Sequence, residues 1–216
     1  MYNGTIPTKE LMHMKALRAL LVLTAVLFLV PALAEDGAIP FDLEALENDA
    51  SLAVFEDANG VDIVYRDVSQ PWIGQCDDGA EALVFLDYVE LANEDAIALR
   101  LSVTLVLEDM LTADTLTLSV GGQQWRFAVR AAGSEYDQVF MEDYCVCLAG
   151  ESLSILQALG QKSSQTLRFE LSGNGTVSGS VEIPGQRIRE IYAHWVSLGG
   201  TSQDLTKVEK RWPLQK

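Results

Sequence analysis

The chain has little of the chemistry that most catalytic and metal sites need. Its 216 residues include three cysteines and two histidines, and His194 is the only histidine after residue 34. A cysteine and histidine zinc site needs four ligands, and a Ser-His-Asp site needs a histidine beside its serine. The sequence contains no G-x-S-x-G, P-loop or H-E-x-x-H motif. We therefore predict no catalytic residue, no metal and no cofactor.

Positive charge is also scarce, which excludes one class of partner. Lys and Arg number 15 against 31 Asp and Glu. Residues 1–34 hold three of the basic residues and one of the acidic ones, so residues 35–216 carry 12 and 30, a net charge of −18. A surface of this sign repels nucleic acid phosphates and anionic lipid head groups. The sequence thus predicts no nucleic acid partner.

Only one long apolar run occurs, and it lies close to the start. Ala19–Val30 is an uncharged stretch of twelve residues, preceded by Lys15 and Arg18 and followed by small residues up to Ala34. This order is typical of a cleaved export signal, whereas a membrane-spanning helix needs about 20 residues. We expect a signal peptide at 1–34, cleaved after Ala34. The bacterial protein would then be secreted or periplasmic and not held by a membrane.

Alternation of apolar and polar residues predicts an all-β fold for the rest. From Ile97 to Leu107 every second residue is apolar, and the preceding Ala82–Ala92 is apolar on both faces. Similar pairs of segments flank other turns, at 52–56 and 61–66, 115–120 and 124–129, and 167–171 and 177–183, with one more strand at 136–148. Short turns between such strands favour an antiparallel β-sandwich of about eight strands, or a partly open barrel. We expect one domain over 35–216.

Helical spacing is confined to short segments late in the chain. Apolar residues recur at helical spacing in 152–159, 184–198 and 202–210. Leu205 and Val208 in the last segment, with Trp212 just after it, are the apolar residues expected to dock this helix. The helices at 184–198 and 202–210 are predicted to cover the sheets, and 67–80 is predicted to be irregular.

The three cysteines are candidates for a disulfide. Cys145 and Cys147 lie two apart on a predicted strand, so they face the same side without converging, and a bond between them would be strained. Export would permit a bond from Cys76 to either one. The alternative is that all three are buried and unbonded. In either case Tyr144, Val146 and Leu148 occupy the opposite face of the strand.

Two classes of function remain open. The lack of catalytic motifs favours a non-catalytic extracellular binding or interaction module with a protein or glycan ligand, and Trp72 is the aromatic residue predicted to face that ligand. The alternative is a small carbohydrate-active or other hydrolytic enzyme, because thirty acidic residues can supply a carboxylate pair. The acidic stretch 56–62 resembles part of a calcium loop, but its composition favours a hairpin turn.

Overall fold

The computed structural model describes residues 42–57, 62–69, 71–92, 97–136 and 139–200, with the backbone alone at 134–136. The strands are β1 (Ala53–Glu56), β2 (Ile63–Arg66), β3 (Trp72–Cys76), β4 (Glu81–Glu90), β5 (Ile97–Leu107), β6 (Thr115–Val120), β7 (Gln123–Ala128), β8 (Ala132–Tyr136), β9 (Val139–Leu148), β10 (Ser164–Ser172) and β11 (Thr176–Pro184). The helices are α1 (Leu43–Glu47), α2 (Leu153–Gly160) and α3 (Gly185–Ser197), with a 3-10 turn at Gly150–Ser152.

The eleven strands of the described part form one antiparallel sheet. Its order is β7-β6-β10-β11-β3-β4-β5-β9-β8, with β2 paired to the C-terminal half of β4 and β1 paired to β2. The sheet curls into a half-barrel. One main core therefore takes side chains from both ends of the strand order, including Leu118 and Phe169 at one end and Leu101 and Tyr144 at the other.

The prediction of a mostly antiparallel β fold is confirmed, but its division into two packed sheets is not. The difference arises at β3, in the stretch 67–80 that was predicted to be irregular. β3 pairs with β4 from Trp72 to Gln75, and it pairs with β11 at Gly179 and Ser180. This short strand joins two groups of hairpins that would otherwise form separate sheets.

The predicted pairings of neighbouring strands are confirmed for three hairpins. β4 pairs with β5, β6 with β7, and β10 with β11. The β6–β7 turn places Gly121 at φ 59° and Gly122 at φ 88°, which is the left-handed backbone that a two-residue hairpin turn requires. The strand predicted at 136–148 is instead the end of β8 followed by β9, which pair with each other.

The helix predicted at 184–198 is observed as α3. Its apolar stripe buries Ile188 and Trp195 in the main core, and the indole Nε1 of Trp195 donates a hydrogen bond of 2.9 Å to the carbonyl oxygen of Ile97. α3 also packs against α2 and the neighbouring strands β10 and β11. The helix predicted at 202–210 and the signal predicted at 1–34 lie outside the described residues.

Gly179 allows β11 to pass close to β3 and β10. A Cβ atom at this position would overlap the Phe169 ring and lie 2.8 Å from the carbonyl oxygen of Gln75. We expect Gly179→Ala to lower the free energy of unfolding by about 1–3 kcal/mol, the usual cost of overpacking, in a urea titration. Adding Phe169→Leu to Gly179→Ala should restore part of this loss.

Gly133 supplies the matched control for this prediction. A Cβ atom there would lie 3.7 Å from its nearest neighbours, an ordinary contact. Gly133→Ala should therefore leave the stability nearly unchanged. Equal stabilities of Gly179→Ala and the unmodified protein would contradict the prediction.

Candidate functional site

The face of the sheet opposite the main core, here called the outer face, has two chemically different halves. Leu99, Leu101 and Val103 of β5 lie in the main core, so the alternating Arg100 and Ser102 lie on the outer face. Over β2, β4, β5 and β9 this face carries a charged cluster, consisting of Arg66, Asp87, Arg100, Ser102, Thr104, Asp143 and Cys145. Over β6, β10 and β11 it carries exposed polar side chains.

Asp87 is the centre of the charged cluster. It is fully buried, and Arg66 binds it in a two-pronged arrangement, with Nε 2.9 Å from Oδ1 and Nη2 2.8 Å from Oδ2. Arg100 donates to Oδ2 from its Nη2 at 3.0 Å, and the Ser102 hydroxyl donates to the same oxygen at 2.9 Å. The Arg66 guanidinium also stacks over the Phe85 ring at 4.1 Å. This carboxylate is occupied by the protein's own donors.

Asp143 connects Cys145 to the cluster. The Thr104 hydroxyl donates to Asp143 Oδ1 at 2.9 Å, and the Cys145 thiol donates to Oδ2 at 3.4 Å. Burial, and then the negative charge of Asp143, raise the pKa of the Cys145 thiol to about 12, although Arg100 opposes the shift. The thiol is therefore protonated at neutral pH, and it lacks the thiolate that a nucleophile or metal ligand needs.

The charged cluster was missed by the sequence pattern. Alternation along β5 placed Arg100 and Ser102 on a solvent-facing side, yet they are 6% and 0% exposed. One signal was available, because Asp87 interrupts an otherwise apolar stretch in β4. A carboxylate within a strand buried on both faces requires a cationic or hydrogen-bonding partner.

The cysteines are placed on opposite faces of the sheet, and no disulfide joins them. Cys76 belongs to the main core, where burial first and Asp78 and Asp77 next raise its thiol pKa to about 11. Cys147 belongs to a smaller apolar cluster on the outer face, and Cys145 is half-buried beside it. The sheet thus separates Cys76 from both of its predicted partners. The prediction that Tyr144, Val146 and Leu148 face the side of β9 opposite to Cys145 and Cys147 is confirmed, since all three lie in the main core.

Trp72, the predicted ligand-facing aromatic residue, is half-buried at the start of β3. It packs against the main core and pairs with Val84 of β4. A small depression beside it is also lined by Asp67, Phe85 and Arg187, and the last donates a hydrogen bond of 3.0 Å to Asp67. Trp72 therefore lines this depression as a half-buried side chain and is not part of an exposed aromatic strip.

A second buried carboxylate, Glu142, lies on the core side of β9. It accepts hydrogen bonds of 3.2 Å from the backbone N–H groups of Leu111 and Thr112 and one of 2.7 Å from the Tyr144 hydroxyl. The Tyr144 hydroxyl in turn accepts a hydrogen bond of 3.0 Å from the N–H of Ala113. These contacts fasten the connection between β5 and β6 to β9, so Glu142 has a structural role.

A depression larger than the one beside Trp72 lies on the exposed half of the outer face and is here called the polar depression. Phe169 and Gly179 also line it. Its polar lining combines hydroxyl, amide, carboxylate and guanidinium groups, from Asp77, Thr117, Ser119, Gln124, Arg168, Glu170, Ser178 and Ser180. These groups are half-buried or exposed, whereas Asp87, Arg100 and Ser102 of the charged cluster are buried. The polar depression therefore offers hydrogen-bond donors and acceptors to a ligand from solvent.

His194 is engaged in a contact that does not resemble a catalytic pair. Its Nδ1 lies 2.9 Å from the hydroxyl of Tyr88, and the two rings meet edge to face at 5.6 Å. Burial raises the pKa of Tyr88 above its ordinary value, so the hydroxyl stays protonated at neutral pH. This pair joins α3 to β4. In the described residues the Ser197 hydroxyl donates to the backbone carbonyl oxygen of His194 at 2.7 Å, and no serine or cysteine side chain bonds to the His194 ring.

The residues that the structure describes contain neither a cluster of metal ligands nor a helix that could span a membrane. No three His, Cys, Asp or Glu side chains among them converge as metal ligands would. No helix within them has the length and apolar character that crossing a bilayer requires.

No family model, no curated protein and no solved structure matches this chain.

Proposed function

We propose that this chain is an exported, non-catalytic binding module that takes a polar ligand, tested first as a glycan, on the polar depression. The observation that carries the proposal is the lining of this depression. Hydroxyl groups of Ser119 and Ser180, the amide of Gln124 and the guanidinium of Arg168 all border one concave area on the outer face. Such groups match the hydroxyl groups of a sugar, which both donate and accept hydrogen bonds.

The reactive groups elsewhere favour binding over nucleophilic catalysis. The Cys145 thiol has a pKa raised to about 12, and the carboxylate of Asp87 is held by Arg66 and Arg100. Neither is available to activate a substrate at neutral pH.

Export of the chain rests on the residues up to Ala34, and N-terminal sequencing of the secreted form tests it.

The binding test combines a glycan array with calorimetric titration of the best array ligand. Arg168→Ala together with Gln124→Ala should raise the dissociation constant by at least about tenfold. Each side chain supplies hydrogen bonds, and that of Arg168 is charged. Gln186→Ala with Arg189→Ala removes the same residue types from the exposed surface of α3 and should leave the affinity unchanged. Absence of any glycan ligand, or equal loss in both double variants, would count against the proposal.

One observation favours a second candidate, a hydrolase with a carboxylate pair. Asp77 and Glu170 both line the polar depression, so two carboxyl groups face the same space. A screen with chromogenic glycosides separates the candidates. Turnover that disappears in both Asp77→Asn and Glu170→Gln would identify an enzyme, whereas binding without turnover identifies a binding module.

A further inference from the structure

The charged side chains on β10 occupy neighbouring rows of the polar depression. Arg168 and Glu170 lie two residues apart on the same side of the strand, so their Cα atoms are about 6.6 Å apart. In the register of the sheet, Arg168 pairs with Ser119 on one side and with Ser180 on the other, whereas Glu170 pairs with Ser178 of β11. A ligand in the depression therefore meets opposite charges in adjacent rows.

The two rows differ in charge because each has a further polar member. The backbone N–H of Asp77 donates a hydrogen bond of 2.8 Å to the carbonyl oxygen of Ser178, the register partner of Glu170. Gln124 lies in the row of Arg168, since both pair with the same residue of β6. The depression thus has an acidic end, formed by Asp77 and Glu170, and a basic end, formed by Arg168 and Gln124.

The protein itself neutralises neither end. No ion pair or side-chain hydrogen bond among the described residues involves Arg168, Asp77 or Glu170, and all three side chains are exposed. The carboxylate of Asp87 in the charged cluster is, by contrast, bound by two arginines. The charged groups of the depression are therefore available to a ligand from solvent.

The charge of the surrounding protein restricts which ligand suits both ends. Residues 42–200 hold eight basic and 26 acidic residues, a net charge of −18, and a potential of this sign repels a purely anionic ligand. A purely cationic ligand meets Arg168 as a like charge, and a neutral ligand leaves both ends without a charged partner. A ligand that carries one group of each sign avoids all three costs.

We infer that the ligand of the polar depression is a zwitterionic glycan. A carboxylate on one sugar unit binds Arg168, and a free ammonium group on the next unit binds Glu170 and Asp77. This inference rests on the binding function proposed above and adds the chemical class of the ligand. The guanidinium can hold a carboxylate through two parallel hydrogen bonds, and an ammonium group supplies three donors. The serine hydroxyls that flank both ends remain for the hydroxyl groups of the sugar.

Calorimetric titration with four β-linked tetrasaccharides tests the ligand class. The neutral probe is the glucose tetramer, and the cationic probe is the glucosamine tetramer. The anionic probe alternates glucuronic acid with N-acetylglucosamine, and removal of its acetyl groups gives the zwitterionic probe. At about pH 6, carboxylates are ionised and primary amines are protonated. The zwitterionic probe should bind at least about tenfold more tightly than each of the others, because it alone makes charged hydrogen bonds at both ends.

Variants at each end show which protein group recognises which charge. Arg168→Gln should remove the advantage of the zwitterionic probe over the glucosamine tetramer. Asp77→Asn together with Glu170→Gln should remove its advantage over the N-acetylated probe. Arg130→Gln and Glu108→Gln remove the same charges from exposed positions outside the depression, and the ranking of the four probes should then stay as in the unmodified protein.

The outcomes distinguish a failure of this inference from a failure of the proposed function. Equal affinities for the four probes, tightest binding of a probe other than the zwitterionic one, or an unchanged ranking in the variants of the two ends would overturn the inference alone. Glycan ligands on the array without binding of the zwitterionic probe would do the same. Absence of any glycan ligand would overturn the inference and count against the proposed function as well.

Discussion

Replacing Asp87 with alanine is expected to lower the free energy of unfolding by about 3–5 kcal/mol. The side chain is fully buried between Arg66 and Arg100, whose Nη2 atoms lie 2.8 Å and 3.0 Å from its Oδ2 atom. Without the carboxylate, two buried cations remain close together with Asp143 as a more distant counter-charge, 3.6 Å from Arg66 Nη2. A urea titration of both proteins measures the difference, provided that the m-value is unchanged.

Two comparisons show whether the loss of stability in Asp87→Ala comes from removing a carboxylate as such or from leaving Arg66 and Arg100 without their counter-charge. Glu170→Ala removes an exposed carboxylate, and it should change the stability by no more than about 0.5 kcal/mol. Replacing Arg66 and Arg100 with Met together with Asp87→Leu should cost less than Asp87→Ala alone, since no charge of the triad is then left unpaired. A loss below about 1 kcal/mol in Asp87→Ala would contradict the buried ion-pair interpretation.

The core face of the sheet was predictable because it depends on local alternation. Leu99, Leu101, Val103 and Leu105 are all fully buried, as their spacing along β5 indicates. The β6–β7 turn was equally accessible, because a Gly-Gly pair between alternating segments has few other conformational uses. The register of β6 with β7 is consistent with these two signals.

The single curled sheet was not predictable from the same signals. β3 is five residues long, and two of its positions, Gly74 and Cys76, carry no strong strand preference. Its pairing with β11 is fixed by close approach, since a Cβ atom on Gly74 would lie 2.5 Å from the carbonyl oxygen of Ser180. Contacts between segments a hundred residues apart leave no periodic trace in either segment.

The outer face shows the same limit for the candidate site. The neighbours of Arg100 in the sequence are uncharged. In the structure, the register of β4 and β5 places Arg100 opposite Asp87, and the two form an ion pair. For Cys145 the sequence left a disulfide and an unbonded thiol open, whereas the carboxylate of Asp143, which accepts a hydrogen bond from the thiol and adds to the effect of burial on its pKa, lies two residues away and was not given a role. The polar depression was not found either, because its lining comes from β6, β7, β10, β11 and the turn after β3.

Replacing Glu142 with alanine is expected to lower the free energy of unfolding by about 3–5 kcal/mol, for a reason different from that at Asp87. The fully buried carboxylate accepts from the N–H groups of Leu111 and Thr112 and from the hydroxyl of Tyr144. Each buried donor left without an acceptor costs about 1–3 kcal/mol. Thr112 has a φ of 44°, an unfavourable conformation for this residue, and Glu142 is one of the groups that hold it there.

Urea denaturation and amide hydrogen exchange together test this role of Glu142. The amides of Leu111 and Thr112 should exchange faster in Glu142→Ala by more than the global loss of stability predicts, because the connection between β5 and β6 opens locally. Glu142→Gln should have an intermediate effect, since its carbonyl oxygen can accept from one backbone donor while its NH₂ group opposes the other. Glu81→Ala, which removes an exposed glutamate from β4, should change neither measurement. Unchanged exchange at Leu111 and Thr112 in Glu142→Ala would show that the connection is held by other contacts, such as the hydrogen bond of 2.6 Å from Asn174 to the Thr112 hydroxyl.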